Sequence, residues 1–415
     1  MNIYQIVLLA AYLFTQGAGH WLTYVNIKYM KRYGLQIPAG FEDHIDRAVL
    51  EKTHAYTIET NFLSLLEAVF DSAVLLIFLY GGLLNIYNSA IASLGFSFIG
   101  QGLVFFLLLS FSGSLLSIPF SLYATFGIEK KYGFSTMTSG LWIADFAKTF
   151  LLSSLMMTLV VSCGLWIVQK SPDYWWLYVW GFFFIFSLFM MYVSPYIIEP
   201  LFNKFTPLEG HALEARIRAM MEKVGIRVSR VFTMDASKRS RHTNAYFTGI
   251  GRVKRIVLFD TLLQKMTDDE ILAVLAHELG HWKKRHVLKM IAVFEILSLI
   301  AAYIVFRGLK ADFLSNIFPF QHPTFFAELV VLGFIYGIVS FPYTPLFSCF
   351  SRRHEDEADR FAVELTEQPE SLATSLIKLS KDNLSNLHPH PLYAWFYYSH
   401  PPVVERVKRI YEIGG

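Results

Sequence analysis

Seven long apolar segments divide this chain and restrict what it can fold into more than any other feature. They cover approximately residues 3–26, 62–88, 97–124, 147–168, 175–198, 288–307 and 325–350. A helix needs about 20 mostly apolar residues to cross the hydrocarbon core of a bilayer, and each segment reaches that length. Only 17% of the residues are charged, whereas a soluble domain carries about 25%. The sequence therefore predicts an α-helical polytopic membrane protein with about seven transmembrane helices.

The composition also argues against nucleic acid as a partner and against cysteine chemistry. The net charge of +3 is small and no dense tract of Lys and Arg is present, so we expect no nucleic-acid binding. Cys163 and Cys349 lie in apolar segments without a C-x-x-C partner, which argues against a disulfide framework and a thiolate zinc site. The start MNIYQIVLLAAYLF lacks the basic region and cleavage site of a secretory signal, so the first segment is expected to be retained.

Basic residues are concentrated in the loops that follow the first and third segments. They are Lys28, Lys31, Arg32, Arg47 and Lys52 in the first of these loops, and Lys130 and Lys131 in the second. The loop after the second segment has none, and basic loops stay in the cytoplasm. We therefore expect the N-terminus outside, and residues 199–287 and 351–415 both on the cytoplasmic side. An active site split between these two polar segments requires that arrangement.

The chain accordingly divides into four predicted parts. Residues 1–198 contain spans one to five with their loops, residues 288–350 contain spans six and seven, and residues 351–415 form a cytoplasmic C-terminal segment. Residues 199–287 are predicted to form a small cytoplasmic α/β segment, because a helical pattern precedes two strand-like runs. These are, in order, LEGHALEARIRAMMEKVGI, VSRVFTMD and KRIVLFD. The polar stretch between the two strands, ASKRSRHTNAYFTGIGR, suits a hairpin at the edge of a sheet.

The stretch LAVLAHELGHWKKRH contains the motif H-E-x-x-H. A capping box at residues 267–270 precedes it, so we expect a helix to begin there. His277 and His281 are four residues apart and lie on one helix face, where both imidazoles can bind one ion. Glu278 can act as general base toward a water that zinc has acidified to a pKa of about 7. The alternative is a chance match on an amphipathic helix.

A catalytic zinc site needs a third protein ligand and an open fourth position. Lys284 and Val287 occupy the positions where the extended metzincin motif has Gly and His, which excludes that class. His286 lies roughly 140° round the helix from His281, so we expect an ordinary polar residue there.

The other dense supply of ligands is SRRHEDEADRFAVEL, residues 351–365. Its candidates are His354, Glu355, Asp356, Glu357 and Asp359. Spacing alone does not choose among them, although Glu355 and Asp359 are four residues apart. One of these two carboxylates can bind the metal while the other orients a ligand histidine. The alternative for the whole stretch is the solvated, charged start of a helix.

Five motifs in a fixed order resemble those of a known family. HELGHW, SRRHEDEADRFA, NAYF followed by KRIVLFDTLL, PLFNKFTPLEG and SHPPVVERV together resemble the type I CAAX prenyl endopeptidases. These are multi-span membrane zinc metalloproteases related to the bacterial heat-shock membrane metalloproteases. The resemblance runs from about residue 125 to 410 and implies a gluzincin-like α/β protease domain on a helix bundle that encloses a chamber. It also implies one Zn²⁺ per chain, with Glu355 as third ligand and Asp359 as the orienting carboxylate.

Three further residues are candidates for contact with the substrate or the reacting atoms. Asn244, beside a predicted strand, can hydrogen-bond a peptide main chain, and the alternative is a turn asparagine. His400 precedes Pro401 and Pro402 and can donate to the oxyanion of a tetrahedral intermediate, although a histidine in a polar tail is usually just solvated. The resemblance implies a role in substrate binding for Asn244 and Arg406 and a catalytic role for His400. Arg406 has a structural ion pair as its alternative.

Acidic residues inside the apolar segments are unusual. They are Glu67, Asp71, Glu295 and Glu328. A charge facing lipid costs at least about 2.5 kcal/mol, so such groups normally face a protein interior or a watery cavity. Polar contacts between helices are the alternative explanation. Four acids together favour a solvated interior, and the resemblance implies a chamber whose walls can hold prenyl or acyl groups.

The leading hypothesis is a membrane-embedded zinc endopeptidase that cleaves the C-terminal tripeptide from prenylated CAAX proteins. Its expected partners are a peptide or protein substrate and membrane lipid. Its expected location is the endoplasmic reticulum membrane in a eukaryote or the inner membrane in a bacterium.

One alternative is a membrane quality-control protease that acts on unlipidated peptides. A second alternative is a metal or proton transporter. That function accounts for the acidic residues inside the apolar segments, but it does not account for a capped helix that carries H-E-x-x-H. A protease with its motif inside a span conflicts with the six charges that flank the motif.

Overall fold

The computed structural model of this chain describes residues 1–248, 253–311, 314 and 317–415, and long helices dominate it. Six of the described helices are long and apolar enough to cross a membrane. They run over Arg47–Tyr80, Phe98–Glu129, Ser139–Lys170, Trp175–Phe202, His286–Lys310 and Phe325–Thr366. The predicted class, a helical polytopic membrane protein with an α/β protease segment, is confirmed. All six predicted segments from the second onward overlap one of these helices.

The first half of the chain consists of seven described helices. They are α1 Ile3–Tyr33, α2 Arg47–Tyr80, α3 Leu83–Ala92, α4 Phe98–Leu122, α5 Ser139–Lys170, α6 Trp175–Val193 and α7 Glu199–Phe202. Two π-helical stretches, Tyr123–Glu129 and Ser194–Ile198, continue α4 and α6. The predicted second segment is interrupted, because Gly82 adopts a left-handed conformation (φ 81°) between α2 and α3.

Helix α1 is long enough to span a bilayer but is less apolar than the six candidates. It begins at a capping box, in which the Asn2 side chain accepts from the Gln5 amide at 2.9 Å. Thr15, Gln16 and His20 interrupt its apolar run. It packs against α2 and against a helix of the seventh segment. Membrane crossing by α1 therefore stays a prediction.

The sheet has four strands in the order β1-β2-β4-β3. Their bounds are β1 Phe205–Pro207, β2 Arg227–Met234, β3 Ala245–Thr248 and β4 Val253–Phe259. Strand β2 is parallel to β4, and the other two pairs are antiparallel. Both strand predictions and the hairpin at the sheet edge agree with this topology, although residues 249–252 of the hairpin lie outside the described part of the chain.

The remaining described helices include those of the sixth and seventh apolar segments and those of the two polar segments. They are α8 Ala212–Lys223, α9 Asp260–Lys265, α10 Asp268–Lys283, α11 His286–Lys310, α12 Phe325–Ser340, α13 Thr344–Thr366, α14 Pro369–Asp382, α15 Pro391–Tyr397 and α16 Val403–Gly414. A single 3-10 turn, Phe341–Tyr343, separates α12 from α13. The predicted boundary between residues 350 and 351 therefore falls inside α13. As a result, the acidic stretch is carried on an extension of the seventh membrane segment.

Helix α10 lies at the centre of the larger hydrophobic core. Its fully buried Leu275 and Ala276 belong to one cluster with Ile217 of α8, Ile256 of β4 and Ile410 of α16. Burial on several sides holds the helix rigidly, because a close-packed interior leaves little room for displacement. The H-E-x-x-H motif is therefore carried on a rigid element.

Candidate metal centre

The capped start of α10 sets where its histidines lie. The Thr267 hydroxyl accepts from the Glu270 amide at 3.3 Å, and the Glu270 carboxylate accepts from the Thr267 amide at 2.9 Å. This reciprocal capping box agrees with the sequence prediction and satisfies two donors at the helix start. The Glu270 carboxylate also lies 2.7 Å from the Lys378 ammonium, which ties α10 to α14.

His277 and His281 of α10 face Glu355 of α13. The two Nε2 atoms are 3.2 Å apart, and the Glu355 Oε1 atom lies 3.2 Å from the His281 Nε2 atom. One donor atom from each residue lies within 4.8 Å of the others. Of the five acidic-stretch candidates, the structure thus brings Glu355 to the two histidines. Its side chain is only 3% exposed.

This donor set fits a divalent metal ion. The Glu355 Oε2 atom is buried and makes no hydrogen bond within the described residues, although it lies 3.3 Å from the His277 Nε2 atom. Two imidazole nitrogens facing one another at 3.2 Å also need a shared proton or a cation between them. Two histidines and one carboxylate are the protein ligands of a common class of catalytic zinc sites. The orphaned oxygen and the paired nitrogens are what a bound cation would satisfy.

Asp359 and Arg406 hold the far side of His277. The His277 Nδ1 atom lies 2.7 Å from the Asp359 Oδ1 atom, so the ring can donate there and keep its Nε2 lone pair for a bound cation. Arg406 of α16 donates to both Asp359 oxygens, from Nε at 2.8 Å and from Nη2 at 2.7 Å. Arg406 is only 6% exposed. Its geometry favours the ion-pair alternative over direct contact with a substrate.

His286 is buried beside His281, whereas the helical-wheel angle predicted an ordinary polar residue there. Arg285 adopts a left-handed conformation (φ 57°) between α10 and α11, so the two helices are not continuous. The turn buries His286 with its Nδ1 atom 3.0 Å from the Nδ1 atom of His281. The His286 Nε2 atom lies 3.0 Å from the Glu357 carboxylate. The helical-wheel angle failed because it assumed one continuous helix, and the sequence contains no Gly or Pro at this turn to indicate the break.

Glu278 follows the first histidine on α10 and is half-buried. Burial raises the pKa of its carboxyl group above the ordinary value. Desolvation disfavours the charged form, so the carboxylate becomes a stronger proton acceptor. A general base works best when its pKa lies close to the operating pH.

His400 lies beside the ligand set, whereas Asn244 lies on the sheet. The His400 Nε2 atom is 3.3 Å from the Glu355 Oε1 atom, and its side chain remains 59% exposed. The Ser399 hydroxyl contacts its Nδ1 atom at 2.9 Å. Asn244 is exposed and accepts from the Ala245 amide at 2.8 Å at the start of β3. Strand β3 is one of the two outer strands of the sheet and packs against α10.

The intramembrane acids are not part of this centre. Glu67 and Glu295 are half-buried and Asp71 is exposed. The Glu295 backbone carbonyl accepts from the Trp180 indole at 3.1 Å. Within the described residues, no ion pair involves the Glu67, Asp71 or Glu295 carboxylate. A functional role for them, and the internal chamber, stay predictions.

Six candidate membrane helices and a buried His-His-Glu set on a packed α/β unit are together the features of a membrane-embedded metallopeptidase. Two family models match the chain. "CAAX prenyl protease N-terminal, five membrane helices" matches residues 26–204, and "Peptidase family M48" matches residues 207–413. The chain belongs to peptidase family M48. It is a metalloendopeptidase, and its substrate is a peptide or protein.

Known relatives cover nearly the whole chain. CAAX prenyl protease 1 of Saccharomyces cerevisiae is 34% identical over 93% of this chain and 90% of its own length. The CAAX prenyl protease 1 homolog of Homo sapiens is 31% identical over 97% of this chain and 94% of its own. The metalloprotease YhfN of Bacillus subtilis is 32% identical over 89% and 87%. The crystal structure of S. mikatae Ste24p superposes with a TM-score of 0.91, at 30% identity and 99% coverage of both chains.

Proposed function

We propose that this chain is a zinc endopeptidase that releases the C-terminal tripeptide from prenylated CAAX proteins. The observation that carries the proposal is the buried set of His277, His281 and Glu355 on helices that lead directly into membrane segments. A site placed there can receive a peptide whose lipid group remains in the bilayer. The relatives named CAAX prenyl protease support this substrate class.

In this proposal His277, His281 and Glu355 hold one Zn²⁺ per chain. Bound zinc supplies a Lewis acid for the scissile carbonyl and acidifies water to a pKa of about 7. Asp359 accepts the Nδ1 proton of His277 and fixes its tautomer, and Arg406 fixes Asp359. His286 does the same for His281.

Glu278 transfers protons during the reaction, and His400 donates a hydrogen bond. The Glu278 carboxylate takes a proton from the attacking water and delivers it to the leaving amide nitrogen. The His400 Nε2–H group donates to the oxygen on which negative charge develops, and its position beside Glu355 suits that role. Its exposure leaves that edge of the centre open to a substrate carbonyl.

Strand β3 receives the substrate backbone. An outer strand has one row of free amide and carbonyl groups, and an extended peptide can add to it as a further strand. Asn244 stands at the start of β3 and adds a side-chain contact to the peptide main chain. Because β3 packs against α10, a peptide bound there lies beside the metal ligands.

The distribution of basic residues supports a cytoplasmic catalytic side. We propose the division predicted from the sequence: residues 1–198 contain spans one to five with their cytoplasmic loops, 288–350 contain spans six and seven, and 199–287 and 351–415 are the two catalytic segments. The membrane is that of the endoplasmic reticulum in a eukaryote or the inner membrane in a bacterium.

A second candidate is a membrane protease that trims unlipidated peptides. The similarity to YhfN favours it, because that relative covers 89% of this chain and carries no CAAX designation. The chemistry at Glu278 is the same in both candidates. Only the lipid requirement of the substrate separates them.

The test is mass spectrometry of paired CAAX peptides, farnesylated and unlipidated, together with metal analysis of the purified protein. We expect about one zinc per chain and release of a tripeptide from the farnesylated peptide only. Glu278→Gln should retain zinc and lose cleavage. Glu222→Gln, an exposed change on α8, is the matched control and should remain active.

Cleavage of the unlipidated peptide alone would establish the second candidate instead. Zinc binding by a protein that cleaves neither peptide, together with ion flux in vesicles, would show a transporter.

A further inference from the structure

A cationic cavity of about 510 Å³ lies where the ends of two candidate membrane helices meet the sheet. Helix α5, the segment after α6 and the strands β1 and β4 all contribute to its wall. Four cationic side chains and one acidic side chain line it, and they are Lys148, Lys204, Lys238, Arg255 and Asp235. This excess of positive charge is separate from the metal centre, with which the cavity shares no residue.

Arg255 has an unused donor in this wall. It is only 7% exposed, and its guanidinium lies 4.4 Å from the ring centres of both Phe205 and Phe232. Its Nη1 atom donates to the Pro195 carbonyl at 2.6 Å. Its Nε atom is buried without a hydrogen-bond partner among the described residues. The guanidinium therefore lies in the wall between two aromatic rings without an ion-pair partner among the described residues.

The three lysines add positive charge to the wall, although Asp145 of α5 is a negative charge near Lys148 and Lys238. Lys148 donates to the Leu201 carbonyl at 2.9 Å, which leaves two of its three donors free. Lys204 and Lys238 are exposed and form no ion pair within the described part of the chain. Asp235 offsets one of the positive charges, and its carboxylate accepts from the Lys204 backbone amide at 2.6 Å, so the wall keeps an excess of cationic side chains. The cavity thus combines a planar guanidinium with three ammonium groups, a set that suits a phosphate.

An apolar surface adjoins this cavity. Tyr196, Ile197 and Leu201 are 52%, 60% and 49% exposed, and all three belong to the end of the candidate span Trp175–Phe202. Exposed apolar side chains on a membrane helix face acyl chains, and lysines near its end reach the headgroup region. Side chains that suit a phosphate and a surface that suits acyl chains therefore lie next to each other.

We propose that this cavity binds the phosphate of an anionic phospholipid. The Arg255 guanidinium and the lysine ammonium groups hold the headgroup, and the acyl chains lie along Tyr196 and Leu201. The bound lipid ties the sheet to the membrane helices, because Arg255 belongs to β4 while Lys148 belongs to α5. This inference does not depend on the substrate proposed above.

The test is native mass spectrometry of the full-length protein released from nanodiscs of phosphatidylglycerol or of phosphatidylcholine. We expect one phosphatidylglycerol retained per chain and little phosphatidylcholine. Lys204→Ala with Lys238→Ala should weaken retention by about tenfold or more, since each cation near a headgroup contributes about 1 kcal/mol. Lys223→Ala with Lys408→Ala removes the same charge from the surface of α8 and α16 and should change nothing.

Retention that is equal in both double variants would overturn the proposal. Glycerol 3-phosphate and inorganic phosphate form a separate arm, measured by thermal shift in a zwitterionic detergent. Binding of either soluble phosphate as tightly as the lipid would overturn the assignment to a membrane lipid. Arg255→Lys keeps the charge but removes the planar guanidinium, and it should weaken retention without preventing folding.

Discussion

Gly280 and Ala358 bring the two ligand-bearing helices into backbone contact. A Cβ atom on Gly280 would lie 2.9 Å from the Ala358 Cα atom and 3.1 Å from its carbonyl oxygen. Helices α10 and α13 can approach this closely only where one of them has no side chain. That approach places Glu355 within reach of both histidines.

Gly280→Ala should therefore force the two helices apart by a few tenths of an ångström. We expect a loss of about 1–3 kcal/mol in the free energy of unfolding, as for other overpacked interiors, together with weaker zinc binding. Gly164→Ala, in α5 with open space around it, is the control and should be neutral. Thermal unfolding and zinc titration with a chromophoric chelator measure both effects, and unchanged affinity in Gly280→Ala would contradict the close-approach argument.

His286→Ala should weaken zinc binding by about 10–100-fold, the usual effect of removing a group that orients a ligand histidine. Glu357→Gln should have a smaller effect in the same direction, since it removes only the acceptor for His286. His322→Ala, an exposed histidine outside the centre, should bind zinc normally. Competition for zinc at fixed pH is the measurement. If His286→Ala retained full affinity, His286 would be only a packing residue.

Arg406→Met should destabilise the fold by about 3–5 kcal/mol, because it leaves Asp359 as a buried charge without its partner. Adding Asp359→Asn should restore part of that loss. Arg409→Met removes a half-exposed pair with Asp356 and should cost at most about 1 kcal/mol. Denaturant unfolding and steady-state kinetics distinguish two roles for Arg406. A raised KM with unchanged stability would show direct substrate contact instead of positioning.

His242 should give the stability a pH dependence. Its ring contacts the Glu129 carboxylate at 3.2 Å and the Asn383 side chain at 2.8 Å, and the hydrogen bond to Glu129 raises the His242 pKa. A raised folded-state pKa means that the protonated form is stabilised. The contribution is then complete below the unfolded pKa of about 6.5 and is lost as the pH rises through the folded value.

The difference in Tm between the protein and His242→Gln should therefore shrink as the pH increases across that interval. Thermal unfolding from about pH 5.5 to 8.5 brackets the unfolded value. His44→Gln, in the loop after α1, serves as control. Parallel Tm curves for the protein and His242→Gln would refute the linkage.

Local patterns were sufficient for the elements that carry the site. Apolar runs of membrane length predicted the long helices, and Thr267 with Glu270 predicted where α10 begins. The 3.6-residue period predicted that His277 and His281 share one helix face. The β-branched composition of VSRVFTMD and of KRIVLFD predicted one strand in each segment. Each of these inferences depends only on residues within a few positions of one another.

The proposed third ligand shows where local reasoning ended. Spacing left five candidates in the stretch 351–365, and only the family resemblance pointed to Glu355. Gly280 selects it physically, by letting α13 approach α10 at Ala358. The sixth and seventh membrane segments lie between α10 and Glu355, so no local period encodes their relative position.

Sequence alone determined the membrane class, the capped H-E-x-x-H helix and the chemistry of its side chains, because hydrophobicity and helical periodicity act over short stretches. Tertiary structure decided that Arg406 pairs with Asp359 across 47 residues, and that the turn at Arg285 places His286 behind His281. It also decided that Lys148 and Arg255 face one cavity. These contacts form between elements that are far apart in the sequence. They therefore contribute to stability only once the whole chain has folded.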